Sequence, residues 1–273
     1  MLPLNHIDRT ILKTIDTVLT DIDDTLTIDG RIPAVAYSAM EKLHTAGIRV
    51  IPVTGRPAGW CDHIARMWPV DGIVGENGAF YFYHHQGERR MIRRYWESES
   101  GRRENRKKLS ALADKILTAI PGAKISADQA YRETDLAIDI REDVTPLSQK
   151  EANHIVAIFE SGGAQAKVSS IHVNGWFGDY DKLAMAQIFL QEIFEVDLEK
   201  NKEKVIFIGD SPNDQPMFEY FPHSVGVANI VTFAEQMTFK PVWMTEQPGG
   251  FGFAELAETI LKTHRTLGEI KIP

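Results

Sequence analysis

Apolar residues along the chain come in short runs that end abruptly on polar ones, and the period alternates between that of strands and that of helices. Val18 and Leu19 open a run that ends on Asp21, Asp23 and Asp24. A strand can bury the first two, but burying three unpaired carboxylates costs several kcal/mol, so the chain has to leave the sheet here. Pro33 then begins a helical pattern (Val35, Ala39, Leu43) that stops at Gly47. Arg49 to Thr54 reads as a second buried strand, residues 58–67 as a helix and 72–74 as a short strand before the turn Gly75-Glu76-Asn77-Gly78. Strand, helix, strand over this length predicts a parallel βαβ unit.

The pattern then changes character. Residues 79–95 read as a hairpin with an aromatic arm, Phe80 to Tyr83, suited to burial in a core or an interface. A charged helix over 101–120 follows, then strands near 123–126 and 136–140, a helix over 146–160 and strands at 164–169 and 171–176. This block has the composition of a separate α+β layer. The α/β pattern resumes with a helix over 180–194, the strand 204–209 ending on Asp210, a helix over 215–221, strands at 224–227 and near 242–244, and a closing helix over 253–263. The expected organisation is an α/β core in two parts, residues 1–83 and 178–273, with an inserted α+β unit, residues 84–177, between them.

Composition narrows the function classes. Apolar residues make up 43% and charged residues 25%, an ordinary globular balance. The net charge of −8 argues against a nucleic-acid binder. Cys61 is the only cysteine, which excludes an intramolecular disulfide and a cysteine-cluster metal site. No apolar run approaches membrane-spanning length and the amino terminus has no leader pattern, so a cytoplasmic protein without membrane or nucleic-acid partners is expected.

Four polar clusters fall at the ends of predicted strands or at a helix start: Asp21/Asp23/Thr25, Thr54-Gly55-Arg56, Lys182, and Gly209-Asp210-Ser211-Pro212-Asn213-Asp214. In open α/β sheets ligands bind at such carboxyl ends. Two carboxylates two apart on a strand share a face and repel unless a proton or a cation joins them. With Asp210 and Asp214 they form a hard oxygen set that suits Mg²⁺ rather than zinc. Thr54 and Gly55 can meet a phosphate oxygen, and Lys182, unfavourable at a helix start, needs an anion such as Asp21 or phosphate. These parts predict phosphoryl transfer through an aspartyl-phosphate, with Asp21 attacking, Asp23 moving the proton, and Mg²⁺, Lys182 and Thr54 neutralising the phosphoryl oxygens.

The four motifs in this order resemble the haloacid dehalogenase superfamily of phosphohydrolases. Asp21-Ile22-Asp23-Asp24-Thr25 matches its D-x-D-x-T motif, Thr54 the second, Lys182 the third, and Gly209 to Asp214 the fourth in its G-D-x-x-N-D form. Glu76-Asn77-Gly78-Ala79 resembles the E-N-G-A turn of the class IIB branch, which includes Cof-type and sucrose-phosphate phosphatases. The resemblance implies a Rossmann-like core with an inserted cap and Asp21, Asp23 and Lys182 as catalytic groups. It implies Mg²⁺ held by the Asp21 side chain, the Asp23 backbone carbonyl and Asp210, with Asp214 in support and Asn213 near the phosphate. Two positions depart from the branch: Asp24 stands where Gly is frequent, and Leu183 follows Lys182 where many members have Gly.

The function so expected is Mg²⁺-dependent hydrolysis of a small phosphorylated metabolite, a sugar phosphate in first place. A phosphomutase or phosphotransferase with the same nucleophile and a non-catalytic phospho-ligand module are the alternatives; dehalogenation has no use for Asp23. Selectivity is expected in the inserted unit. Its nine basic residues between Arg89 and Lys108 outnumber the acidic ones, and His172, Asn174 and Trp176 alternate on one strand, a face that could bond and stack on a sugar.

Overall fold

The computed structural model describes residues 1–169 and 171–265. The amino-terminal segment, too mixed to show a period, forms strand β1 (Leu2–Pro3) and helix α1 (Arg9–Thr14), capped by the Asp8 carboxylate, which accepts from the Thr10 N–H at 2.7 Å. Then come β2 (Thr17–Thr20), α2 (Ala34–Thr45), β3 (Arg49–Pro52), α3 (Ala58–Met67), β4 (Ile73–Gly75) and the hairpin β5 (Phe80–His85) with β6 (Arg90–Tyr95). The inserted unit holds α4 (Glu99–Ala119), β7 (Lys124–Ile125), β8 (Leu136–Asp139), α5 (Gln149–Ser161), β9 (Gln165–Val168) and β10 (His172–Trp176). The chain closes with α6 (Lys182–Phe194), α7 (Leu198–Asn201), β11 (Val205–Gly209), α8 (Gln215–Tyr220), β12 (Ser224–Gly226), β13 (Trp243–Met244) and α9 (Gly249–Arg265).

The large sheet has the order β1-β13-β12-β11-β2-β3, and every pair in it is parallel. Its strands are apolar on both faces because helices cover both. β2 lies between β3, which follows it in the chain, and β11, which comes some 185 residues later, as Thr25 and Asp210 illustrate by meeting across that separation. This is a switch point in strand order, where α/β sheets open a crevice. The register pairs Ile208 with Thr20, and the Asp21 N–H continues it by donating to the Ile208 carbonyl at 3.0 Å. The acidic ends of the two strands therefore leave the sheet side by side.

Strands β4, β5 and β6 form a second, antiparallel sheet, joined to the first by a bridge between Val53 and Val74. The aromatic arm belongs here. Phe80 and Phe82 enter one apolar cluster with α2, α3 and α9, while Tyr81 enters the cluster on the opposite face, stacked on Phe189 at 4.6 Å. Period-two alternation thus serves two cores at once, and Phe80 to Phe82 are buried within the molecule. β4 pairs with β5 over Phe80 to Phe82, and β5 pairs in turn with β6 from Arg90 to Tyr95, so β6, grouped by its pattern with the inserted unit, is joined through β5 to the core side.

The inserted unit has its own antiparallel sheet, β7-β8-β10-β9, with α4 and α5 on one face around Leu112, Ile116, Ile138, Ile155, Phe159 and Val173. Ser148 and Glu151 form a reciprocal capping box at the start of α5. His172, Asn174 and Trp176 alternate with Val173, so they point to the sheet's other face, toward the core.

Candidate active site

Asp21 follows β2 and Asp210 follows β11, and both are buried. With Asp214 they offer carboxylate oxygens within 4.8 Å of one another. Lys182, the first residue of α6, donates to Asp21 Oδ1 at 2.6 Å and to Asp214 Oδ1 at 2.7 Å. Two glycines make this convergence possible. Gly78 has φ +102 and lies so close to the start of α6 that a Cβ would stand 2.0 Å from the Asp181 carbonyl oxygen. The tight turn before β5 thereby seats Lys182. At Gly209 a Cβ would fall 2.3 Å from Asp214 Oδ2, the oxygen that accepts the Asp210 N–H at 3.2 Å.

Three buried carboxylates gather about one ammonium, and the crowding acts on Asp21 and Asp210. Burial raises the pKa of Asp21, Lys182 opposes the rise, and Asp214 and Asp23 add to it. Asp210 is likewise pushed up by burial, then by Asp21 and Asp214. For Lys182 burial disfavours the charge, but Asp21 and Asp214 outweigh it and hold the ammonium protonated. Asp210 Oδ1 accepts from the Thr25 hydroxyl at 3.3 Å, while Asp210 Oδ2 is buried without a hydrogen-bond partner among the described residues. An acceptor left this way is costly unless a cation meets it. The surplus of carboxylates, the orphaned oxygen and the all-oxygen donor set fit a hard divalent cation.

Asp23 lies outside that cluster. Its side chain turns to Arg56, which donates from Nε to both carboxylate oxygens at 3.0 Å and from Nη2 to Oδ1 at 2.7 Å. Arg56 also reaches into the inserted unit, with Nη2 2.9 Å from Glu142 Oε1, and its guanidinium lies over the Trp60 ring at 4.4 Å. Glu142 Oε2 is 2.9 Å from His172 Nε2. The His172 hydrogen bond and then Arg56 hold the Glu142 carboxylate down at about 2, against the opposing effect of burial. A second seam lies alongside. Buried Arg132 pairs with Asp128 and Asp135 and donates to the Gly55 carbonyl at 2.9 Å. Buried Glu76 accepts the N–H groups of Ala58, Glu133 and Thr134 at 2.9, 2.9 and 2.6 Å, and the Thr134 hydroxyl as well. The E-N-G-A turn is therefore a fastening between the core and the inserted unit.

Between the two layers is a cavity. Asp21, Asp23, Gly55 and Arg56 wall it from one side, Ser211 and Asn213 from another, and Ser169, Ile171, His172 and Asn174 from the inserted unit. It encloses about 20 Å³, room for roughly one water molecule, so the two layers are closed on each other. Asn213 Oδ1 accepts from the Ser211 hydroxyl at 2.7 Å, and Asn174 donates to Asp135 at 2.9 Å. Thr54 is buried behind the wall, with its hydroxyl oxygen accepting the Arg56 N–H at 3.1 Å. Trp176 does not reach the cavity: it is stacked on Tyr180 at 5.8 Å within the core cluster, its position at the end of β10 carrying it past the opening. Sequence reasoning placed Arg56 in the Thr54-Gly55-Arg56 cluster but gave it no role, and it missed Glu142 altogether. Glu142 had no signal, because its partners are remote in the chain.

A sequence profile described as haloacid dehalogenase-like hydrolase matches residues 18–100 and 187–235, which include Asp21, Asp23, Thr54 and the fourth motif. The chain is 26% identical over 245 residues to a phosphoglycolate phosphatase of Methanoculleus marisnigri, covering 88% of this chain and 94% of the relative. A crystal structure from Thermoplasma acidophilum superposes with a TM-score of 0.68 at 18% identity, over 90% of this chain and 98% of that one. A sugar phosphatase of subclass IIB of the same superfamily superposes with a TM-score of 0.58 at 16% identity, over 94% of this chain and 100% of that one. No helix among the described residues is long and apolar enough to cross a membrane. The profile matches parts of both halves of the core that bring the carboxylates together, and the two solved structures share the fold of core and insert: in profile and fold the chain is similar to the haloacid dehalogenase-like hydrolases.

Proposed function

We propose that the protein is a Mg²⁺-dependent phosphatase of small phosphorylated metabolites, sugar phosphates in first place, and that residues from about Glu99 to Phe177 act as a cap over its active site. The observation that carries this is Asp21: a buried carboxylate held at 2.6 Å by Lys182 among two further acids, at the floor of a cavity. The match to a haloacid dehalogenase-like hydrolase profile and the similarity to proteins that are themselves phosphatases support it.

Asp21, Asp210 and Asp214, with the Asp23 backbone carbonyl, would hold the ion, which when bound offsets the acidic surplus that otherwise repels a phosphate. Lys182 fixes one Asp21 oxygen and leaves the other to attack phosphorus. As the Asp21–phosphorus bond forms, the ester bond breaks and Asp23 gives its proton to the leaving oxygen. Asp23 then takes a proton from water, whose oxygen attacks phosphorus, and Asp21 is released as a carboxylate with free phosphate as product. Arg56 orients Asp23 for both transfers through its three hydrogen bonds. Thr54, Gly55 and Asn213 are the groups proposed to receive phosphoryl oxygens. The cap has to open for substrate, because the closed cavity has no room for one.

The test is turnover of p-nitrophenyl phosphate, followed by free phosphate release, with Mg²⁺ and after chelation. Phosphate release that stops on chelation and returns with Mg²⁺ is expected. Transfer to a second alcohol without free phosphate would identify a phosphotransferase, and binding of phosphate without turnover under any divalent ion would leave a ligand-binding module.

A further inference from the structure

Glu142 takes no part in the chemistry proposed above, yet its place is tightly determined. It lies in the turn after β8, where Asp139 Oδ1 accepts the N–H groups of Arg141 and Glu142 at 2.9 and 2.8 Å and Oδ2 that of Asp143 at 2.9 Å. One buried carboxylate thus ties three successive backbone amides and aims Glu142 at two residues of the cavity wall. There the Glu142 carboxylate meets Arg56 at 2.9 Å and His172 at 2.9 Å.

Arg56 and His172 are cavity-wall residues beside Asp23, on the side where a leaving group must receive its proton. Among the described lining residues they are the groups with which this wall could bind an anionic leaving group, and Glu142 is already bonded to both, at Arg56 Nη2 and at His172 Nε2. The surroundings reinforce the effect. Asp23 and Asp128 lie 2.7 and 3.7 Å from Arg56, while Arg132 is engaged by Asp128 and Asp135. Four carboxyl groups therefore face two guanidiniums on this flank. The rest of the wall there, Ser169, Asn174, Ser211 and Asn213, is neutral and both donates and accepts hydrogen bonds. Such groups suit hydroxyls, whereas a second carboxylate would sit against Glu142 and compete with it, Asp23 and Asp128 for Arg56.

We propose that Glu142 is a specificity-determining residue that reserves this flank for an uncharged, hydroxyl-bearing leaving group and rejects leaving groups that carry a carboxylate. The proposal rests on the phosphatase reading and narrows its substrate class.

Two esters that differ only at the far carbon test it: 2-hydroxyethyl phosphate, with a CH₂OH, and phosphoglycolate, with a carboxylate. With Mg²⁺ present, kcat/KM for the hydroxylated ester should exceed that for the acid by roughly tenfold or more. Glu142→Gln should shrink that preference several-fold, and Glu142→Asp, which keeps the charge, should retain most of it. The ratio is taken within one preparation, so partial unfolding of a variant cancels, and the wild-type ratio stands without any variant. A wild-type preference for phosphoglycolate would overturn the proposal. So would an unchanged ratio in Glu142→Gln, since a side chain that only fastens the cap would alter both rates alike. p-Nitrophenyl phosphate is the control: turnover of it with the wrong ester ratio sinks the specificity proposal alone, while no turnover of any ester sinks the phosphatase reading as well.

Discussion

Two buried clusters of charge flank the cavity, and they are built on opposite terms. At the ends of β2 and β11, three carboxylates share one lysine, and Asp210 Oδ2 has no hydrogen-bond partner among the described residues. Along the seam between core and inserted unit acids again outnumber bases, but nearly every one is bonded: Asp23 accepts three hydrogen bonds from Arg56, and Arg132 is spread over Asp128, Asp135 and the Gly55 carbonyl. An ionic seam whose carboxylates are bonded holds two layers in one arrangement, with Arg56 Nη1 its one guanidinium nitrogen buried without a hydrogen-bond partner among the described residues. An unsatisfied acidic cluster is costly as it stands and suits a site where a cation and a phosphate come and go. Activity and stability should therefore separate between the two.

The largest effect expected is that of Asp21→Asn. An amide cannot attack phosphorus, so phosphate release should fall by roughly a thousandfold or more. Stability should not fall with it. Burial and neighbouring acids raise the folded pKa of Asp21, so its ionised form weighs against the fold as pH rises. Removing that charge leaves Lys182 still paired with Asp214 at 2.7 Å. Thermal unfolding at neutral pH without metal should give a Tm equal to or above that of the wild type. Retained turnover would remove Asp21 as the nucleophile; a large drop in Tm would show that the cluster is as structural as the seam.

Arg56→Ala is the converse. It strands Asp23 and Glu142 and takes away the guanidinium packed over Trp60. Breaking a buried pair from one side costs about 3 kcal/mol, somewhat less where the remaining acids can rehydrate, as half-buried Asp23 and Glu142 can. The variant should unfold at a clearly lower temperature, checked by calorimetry, and lose turnover as well because Asp23 is no longer oriented. A Tm indistinguishable from the wild type would mean that the seam does not hold the layers together.

The same division explains what could be read from the residues alone. The acidic cluster was legible because each part sits in a short motif at a strand end, and parallel pairing of β2 with β11 then brings Asp21 beside Asp210. The seam was not. Asp23, Arg56, Glu142 and His172 come from four separate stretches; Asp23 pairs with Arg56 within the core and Glu142 with His172 within the inserted unit, and only the approach of the two layers joins Arg56 to Glu142. The order of elements was legible too, since the 3.6 and 2.0 periods are strong in this chain. The place of the hairpin was harder, because alternating aromatics look the same whether they feed one core or two, and it is pairing with β5, itself paired with β4, that ties Arg90 to Tyr95 to the core side. Trp176 shares a face with His172 and Asn174 as period two requires, but sharing a face did not put it in the cavity.

Asp24 marks the boundary of the acidic cluster, and it is where the smallest effect is expected. It follows Asp23 in the turn after β2 with φ +56, a left-handed conformation that Asp tolerates and Gly adopts freely. Two backbone contacts help close this turn: the Asp24 N–H donates to Thr27 Oγ1 at 2.9 Å, and its carbonyl accepts from Asn229 at 3.0 Å. Asp24→Gly keeps both. It relieves the side-chain cost of the left-handed turn but frees the unfolded chain, two terms of similar size, so stability should stay within about 1 kcal/mol of the wild type. Its charge adds to the pressure on Asp210 from a distance, behind burial, Asp21 and Asp214. A half-exposed charge acting at that remove should change phosphate release by no more than about fivefold. A larger loss, with Tm unchanged, would make Asp24 a working member of the acidic cluster and move the line between the two regions by one residue.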